Sequence, residues 1–472
     1  MQLRFDPIEE TLPREKAGGP RRATRVEPVL FLAFFCDNPR ELPSRHDLGE
    51  IDSVTLGRGR TRRFERDAAL RSLRIELPDP WTSAEHARLR RSFGGFEVED
   101  LRSRNGVRVN GRLVDKARLE DGDLIELGHT LLYYRREAGA ELDAQVPDWV
   151  PEDGSRSTPG FVTLSAALTR ELNKAWELAP ADLPLLIQGE SGTGKEVLAR
   201  ALAERSERRG PFVGVNCGAI PPSLVESELF GHVKGAFTGA ESSHDGLIRS
   251  AHKGTLFLDE IGDLELGAQA ALLRVLQERE VRPVGATRAV SVDVRLLSAT
   301  HRDLDALVEQ STFRADLLSR LAGFRLRLPP LRQRREDIGL LVAQFVAAQA
   351  ASVAGELRFE PEAARRLFRY HWPLNIRELD NCLRAATVLA RGAPIADEHL
   401  SEQLRGASLE PQSLQPPAEL GEADAERRED LVRLLRAQKG NVSAVARQLG
   451  KARTQVQRWL KRYRLDPRDY QG

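Results

Sequence analysis

Three successive patterns of apolar and polar positions divide the chain. Between residues 29 and 134, short strand-like runs (VLFLAFF, SVTLGR, HARLRR, GFEVEDL, GVRVNGRLV, DLIELGHTLLYY) are separated by turn signals at Gly94-Gly95, Asn105-Gly106, Asn110-Gly111 and Asp121-Gly122. Such spacing predicts an all-β sandwich. Between residues 161 and 404, buried-strand runs (LLI at 185–187, PFVGVN at 211–216, GTLFLDEIGD at 254–263, VDVRLLS at 292–298) alternate with helical spacing such as Leu198, Ala201 and Leu202. This is the alternation of an α/β domain. Near the C terminus, Leu431, Val432, Leu434 and Leu435, then Val445, Ala446 and Leu449 closed by Gly450, then Val456, Trp459, Leu460 and Tyr463 mark three amphipathic helices.

Two stretches without a sustained apolar period separate these modules. One spans 137–160, with Pro147, Pro151, Gly154 and Pro159; the other spans 405–424, with Pro411, Pro416 and Pro417. The expected organisation is a tail (1–27), the sandwich (28–136), a linker, the α/β module (161–404, with a helical lid from about 334), a second linker and an all-α helix-turn-helix (425–472). The apolar run 29–35 is too short for a membrane span and lacks the flanks of a signal peptide. Cys36, Cys217 and Cys382 lie far apart in no metal-ligand spacing, which argues for a reducing compartment. A cytoplasmic protein with no membrane association is expected, and the formal net charge of +1 leaves nucleic-acid binding to local charge.

The candidate chemistry is densest where LLI meets GESGTGKE. Gly189, Glu190, Ser191, Gly192, Thr193, Gly194 and Lys195 fit GxxxxGK between a predicted strand and helix. In that loop, backbone N–H groups converge on phosphate oxygens and the lysine reaches them from a helix N-terminus. ATP is the expected ligand. Glu196 stands where a Mg²⁺-ligating hydroxyl is common; its carboxylate either approaches the metal or points away. Asp259 and Glu260 fall at the carboxyl end of a predicted strand, where open α/β sheets bind ligands. Asp259 is expected to hold Mg²⁺ and Glu260 to polarise the attacking water, with Asn216 restraining Glu260. Thr300 and His301 end the next strand, Arg314 and Arg320 are candidates for a guanidinium supplied across a subunit boundary, and Arg377 is placed to reach back to nucleotide.

In order, GESGTGKE, ESELFGH, GAFTGA, GTLFLDEIGD, FRADLL and WPLNIREL resemble the AAA+ domain of bacterial enhancer-binding proteins, the activators of sigma-54 RNA polymerase. The resemblance covers nearly the whole central module. It implies a ring, usually a hexamer, with nucleotide between subunits, and Glu196 is that family's usual residue. His301 departs from the common Asn and Leu374 from the common Gly of WPGN. Gly235, Ala236, Phe237, Thr238, Gly239 and Ala240 place an aromatic between glycines on an exposed loop, where a partner surface is the natural cover. The resemblance implies that this loop grips sigma-54.

In the sandwich, Gly57-Arg58, Ser83 and His86 of SAEHARL, Ser103-Arg104-Asn105-Gly106 and Asn110-Gly111 resemble the forkhead-associated (FHA) signature. That family implies a phosphothreonine-peptide site of Arg58, Ser83, Arg104 and Asn105, with Arg58 and Ser83 at the phosphate, Asn105 on the peptide backbone and His86 bracing the loops. A guanidinium fork and a hydroxyl suit a dianionic phosphate. The arginine-rich stretch 59–74 is an insertion relative to shorter members, and Thr11 beside acidic residues is a candidate own-chain phosphosite. The last helix carries Arg453, Thr454, Gln455, Gln457, Arg458 and Lys461, residue types that suit base edges and phosphates, and its module resembles the Fis-type DNA-binding domain. The expected partners are sigma-54 RNA polymerase, enhancer DNA, a phosphothreonine protein or the chain's own phosphorylated segment, and further copies of the chain.

Overall fold

The computed structural model describes residues 26–92, 95–138, 147–151, 161–238, 240–349, 357–406 and, near the C terminus, 431, 434–435, 438, 442–449, 456 and 459. Two units separate, Met1–Leu409 and Glu410–Gly472.

The first unit begins with a sandwich. Its strands are β1 (Val26–Phe35), β2 (Ser44–Asp47), β3 (Ser53–Arg58), β4 (Arg63–Asp67), β5 (Ser72–Leu77), β6 (Ala87–Ser92), β7 (Gly95–Asp100), β8 (Val107–Val109), β9 (Arg112–Val114), β10 (Lys116–Arg118), β11 (Leu124–Leu127), β12 (Thr130–Ala138) and β13 (Asp148–Trp149). One sheet runs β13-β2-β1-β12-β11-β8-β9 and the other β10-β7-β6-β3-β5-β4. Leu30, Leu32, Leu56, Ile75, Leu89, Phe96 and Leu132 fill the space between them. The arginine-rich insertion is a β4–β5 hairpin, antiparallel from Arg63↔Glu76 to Asp67↔Ser72. Its charged, half-exposed β4 forms the sheet edge, where charge discourages pairing with another chain.

The stretch 137–160, expected as a linker throughout, carries structure at both of its described parts. Glu137 and Ala138 continue β12, and β13 adds to β2. Asp148 is the anchor of β13. It accepts hydrogen bonds from His46 Nδ1 at 2.7 Å and from Arg66 Nε and Nη2 at 2.9 and 2.7 Å, and Ser44 Oγ lies 2.9 Å from His46 Nε2.

The central sheet follows: α1 (Ala166–Glu177), β14 (Leu185–Gln188), α2 (Lys195–Glu204), β15 (Phe212–Asn216), α3 (Pro222–Phe230), α4 (Leu247–Ser250), β16 (Thr255–Asp259), α5 (Leu266–Glu278), the short pair β17 (Glu280–Val281) and β18 (Val290–Ser291), β19 (Arg295–Thr300), α6 (Leu304–Glu309), α7 (Ala315–Leu321) and β20 (Phe324–Arg327). The five long strands are parallel in the order β15-β16-β19-β14-β20. The strand expected from Val292 starts at Arg295 instead, because Val292 N is bonded to Arg279 O beside the β17–β18 pair.

A lid of α8 (Ile338–Gln349), α9 (Pro361–Arg369), α10 (Asn375–Ala390) and α11 (Glu402–Gly406) completes the unit. It shares a core with the sandwich. Leu30 and Leu32 of β1 face the sandwich interior, whereas Val29, Phe31, Ala33 and Phe34 pack with Ile338, Val342, Phe359 and Phe368. Phe34 meets Phe359 edge-on at 5.3 Å. A Cβ on Gly339 would stand 1.8 Å from Ala33 O, so only glycine lets α8 approach β1 this closely. Around this core Arg365 forks onto Glu126 at 2.7 and 2.8 Å, Arg135 lies 3.2 Å from Glu336, and Arg369 donates to Asn110 O.

In the second unit, α12 (Val442–Gln448) brings Val445 and Ala446 against Leu431, Leu435 and Val456, with Trp459 at the margin. α12 appears where SAVARQLG predicts a helix. Arg453, Thr454, Gln455, Gln457, Arg458 and Lys461, like Thr11, lie outside the described residues.

Candidate functional site

The glycine-rich loop leaves β14 and turns into α2. Gly192 and Gly194 have φ of 76° and 100°, a left-handed conformation that L side chains rarely adopt. Gly189 N donates to Thr300 O, tying the loop to β19. Lys195, 6% exposed, donates to Gly189 O at 3.0 Å and lies 3.6 Å from Glu260 Oε1. A buried ammonium held by loop carbonyls and one carboxylate is well placed for phosphate oxygens.

Lid residues that sequence reading did not single out grip this loop from outside. Arg332 forks onto Glu190 at 2.8 and 2.6 Å, buried Arg334 donates to Thr193 O at 2.8 Å, and Asn375 Nδ2 donates to Ser191 O at 2.9 Å. Ile376 N donates to Gly192 O, and Arg377 Nη1 lies 3.2 Å from Ser191 Oγ. A Cβ on Gly192 would meet Leu374 O at 2.1 Å. Leu374 itself has φ −100°, a value open to any residue, so the departure from glycine there costs nothing in the backbone. Arg377, expected to reach back to nucleotide, is bonded here to the Ser191 hydroxyl of the loop.

Glu196 takes the second of its two expected directions. Its carboxylate bonds Arg200 at 2.8 Å one turn along α2 and is more than half exposed, so it points away from the loop.

At the carboxyl end of β16, Asp259 Oδ1 accepts from Glu260 N at 3.0 Å. Glu260 has φ 51°, an uncommon value for a non-glycine residue that aims its side chain back over the loop. Its partner differs from expectation. Asn216 Oδ1 accepts from Gly218 N at 3.0 Å and caps the turn after β15, while Glu260 Oε2 receives His301 N at 3.1 Å and lies 2.7 Å from His301 Nδ1. Burial pushes the Glu260 carboxyl up, but the hydrogen bonds from His301 and the charge of Lys195 hold it below its ordinary value. Asp259 is raised, first by burial and then by the charge of Glu260. The two neighbouring carboxylates are thus shifted in opposite directions, Glu260 toward its ionised form and Asp259 away from it.

Arg314 immediately precedes α7 and its guanidinium forks onto Asp316 at 3.0 and 2.7 Å; Arg320 is exposed on α7. The structure does not bring these two to the nucleotide loop of their own chain through any hydrogen bond among the described residues.

The loop at 235–240 is closed at its base by Gly235 N bonded to Ala240 O. Phe237 is 40% exposed, resting edge-on against His232 at 5.0 Å, and Thr238 is exposed; Gly239 lies outside the described residues.

At one end of the sandwich the FHA-like residues converge. Arg58 N donates to Ser83 O, Ser83 Oγ accepts from Arg104 N at 3.1 Å, and the Arg58 and Arg104 side chains are exposed. His86 is fully buried: Nδ1 accepts from Ser83 N and Nε2 donates to Gly106 O, joining the two loops. A Cβ on Gly57 would meet Ala84 O at 2.0 Å, which explains the glycine before Arg58. Asn105 Nδ2 donates to Trp81 O at 2.7 Å.

Family models match four stretches of the chain: an FHA domain at 54–128, a Sigma-54 interaction domain at 161–327, an AAA+ ATPase lid domain at 332–416 and a Homeodomain-like domain at 422–468. The chain is 40% identical over 331 residues to the transcriptional regulatory protein GlrR of Escherichia coli (strain K12), covering 70% of this chain and 73% of that one. The chain belongs to the sigma-54-dependent transcription regulators. Within this family it is also 42% identical over 317 residues to the regulatory protein AtoC of the same strain, covering 66% and 68%. NtrX from Brucella abortus, solved in complex with ADP, is 32% identical, covers 65% of this chain and 70% of its own, and superposes with a TM-score of 0.49. This sigma-54-dependent regulator therefore combines an FHA domain, an AAA+ ATPase with its lid and a C-terminal helix-turn-helix. Among the described residues no helix is long and apolar enough to cross a membrane.

Proposed function

We propose that this regulator binds enhancer DNA through its C-terminal unit and uses ATP hydrolysis to convert the sigma-54 RNA polymerase closed complex into the open complex. A phosphothreonine peptide read by its FHA domain controls this activity. The observation that carries the reading is the junction of β16 and β19. There Glu260, ionised and oriented by His301, stands over the glycine-rich loop and Lys195. Glu260 is the group that polarises water, and Lys195 with the loop N–H groups holds the triphosphate.

Mg²⁺ suits this donor set. Asp259 is a half-buried carboxylate at the end of β16 beside Glu260, and magnesium is commonly held by one or two carboxylates together with substrate phosphates. When bound there, the ion would neutralise charge on the phosphates. Glu196, turned to Arg200, is outside that set.

Arg314 and Arg320, exposed on α7, would act on a neighbouring subunit's nucleotide in a ring, which is consistent with their distance in bonding from their own loop. The Arg314 fork onto Asp316 would have to open for that arginine to reach across. The partly bared Phe237 and exposed Thr238 on a closed loop base support contact with sigma-54. The test is Thr238→Ala. ATP turnover is expected to stay within about twofold of the unsubstituted chain while open-complex formation is lost, because the hydroxyl lies outside the nucleotide site. Equal loss of both activities contradicts the assignment.

A further inference from the structure

Beside Asn105 the end of the sandwich opens into a cleft whose opposite wall belongs to the lid. Two adjoining cavities, of about 590 and 220 Å³, share Trp81, Arg108, His129, Pro361 and Arg365, and the smaller one reaches Asn105. The floor is rigid. Trp81 and His129 stack at 4.6 Å and 17°, and buried Asp79 accepts from Trp81 N, His129 N and Thr130 Oγ1. The aromatic surface is nevertheless half bare, with Trp81 49% exposed. On the facing side α9 begins with Pro361 and Glu362, fixed to the sandwich by the Arg365–Glu126 fork.

Two charged groups in the cleft are already committed, Arg365 to Glu126 and Asp37 to His129. The walls also carry Arg108, Arg358, Glu360 and Glu362; the apolar surface among these charges is the half-exposed indole of Trp81, with Pro361 and Pro394 lining the same cleft. A bare aromatic beside a backbone-reading asparagine is a surface that gains from being covered.

We propose that the phosphopeptide site continues past the sandwich. The flank of a phosphothreonine peptide beyond Asn105 lies in this cleft, with an aromatic or long apolar side chain between Trp81 and Pro361, so that the ATPase lid supplies one wall of the specificity surface. The inference rests on the phosphothreonine reading proposed above and extends it: recognition is completed by a domain other than the FHA domain. A ligand so placed touches the same lid whose Arg332, Arg334 and Asn375 hold the nucleotide loop.

The experiment uses the full chain and a phosphothreonine peptide library degenerate at four positions on either side. The selected sequence is synthesised whole and with its preferred flank truncated, and fluorescence anisotropy measures both against the unsubstituted chain, Arg58→Ala, Trp81→Ala and Glu362→Trp. Glu362 is exposed on the lid wall and outside the nucleotide site, so unchanged basal ATP turnover reports an intact lid in Glu362→Trp. Arg58→Ala is expected to lose both peptides. Trp81→Ala, which removes the aromatic floor, and Glu362→Trp, which plugs the cleft, are expected to weaken the whole peptide about tenfold and leave the truncated one within about twofold. If Glu362→Trp binds the whole peptide as tightly as the unsubstituted chain, or if truncation changes nothing, the lid wall is refuted while phosphothreonine recognition stands. If no library member is retained in a phosphate-dependent way, both fall together.

Discussion

Glu260 and His301 follow the ends of the adjacent strands β16 and β19 and pair through one carboxylate oxygen. His301 supplies both a backbone N–H and its ring to one carboxylate oxygen, fixing a side chain that springs from a strained backbone position. Removing only the ring in His301→Ala leaves the backbone bond and the loop intact. Steady-state kinetics is expected to show kcat reduced about 10- to 100-fold, short of the roughly 10²- to 10⁴-fold that a general base contributes, with ATP affinity measured separately and nearly unchanged. A kcat equal to that of the unsubstituted chain would show that the ring does not position Glu260. His46 gives a second prediction at this scale. Burial holds its pKa below the ordinary 6.5, although Asp148 acts to raise it, so the folded chain disfavours the protonated ring. Burial also raises Asp148, but the bonds from His46 and Arg66 outweigh it and bring that carboxyl to about 2. Because the unfolded chain binds the histidine proton more readily, stability contributed here is present above about pH 6.5 and is lost as pH falls below it; the Asp148 share goes only in stronger acid. Thermal unfolding between pH 7.5 and 5.5 should show this decline for the unsubstituted chain and a shallower one for His46→Gln.

Strand β1 shows how an element can carry more than its own sheet requires. A sandwich strand with one wet face alternates apolar and polar residues, whereas VLFLAFF is apolar throughout because both its faces are buried, one in the sandwich and one against the lid. That second face was legible in the unbroken run, but its partner was not: α8 and α9 lie some 300 residues away, and no local pattern says which surfaces will meet. The nucleotide loop was legible for the opposite reason, since phosphate binding needs consecutive residues at fixed spacing between a strand and a helix. The restraint on Glu260 fell between these cases. β16 has two neighbours, β15 ending in Asn216 and β19 leading to His301, and sequence offers a polar side chain at both ends. In the structure Glu260, at φ 51°, bonds His301 beyond β19 and not Asn216. The close packing of α8 on β1 leads to a prediction for Gly339→Ala. In an ordinary helix this change stabilises, by about 1 kcal/mol. Here the new methyl meets Ala33 O, so a net loss of about 1–3 kcal/mol is expected in denaturant unfolding, and a gain would show that the sandwich is not seated on the lid.

Across the first unit, the sandwich, lid and nucleotide loop form a continuous physical chain. Arg135 of β12 meets Glu336, beside Arg334, which bonds Thr193 of the loop. Glu336 is pushed up by burial, with Arg135 acting against that rise. If the FHA domain controls the ATPase as proposed, this shared core gives it a direct route to the lid that does not pass through the central sheet. What the molecule does with hydrolysis is tested most directly on promoter DNA. Purified chain, sigma-54 holoenzyme and a promoter carrying an upstream site are combined, and strand separation at the start site is read by permanganate reactivity. Opening is expected with ATP, and none with a non-hydrolysable analogue or with Lys195→Ala. Opening that proceeds with the analogue, or full ATP turnover with every occupied promoter still closed, would contradict a motor that drives the polymerase open.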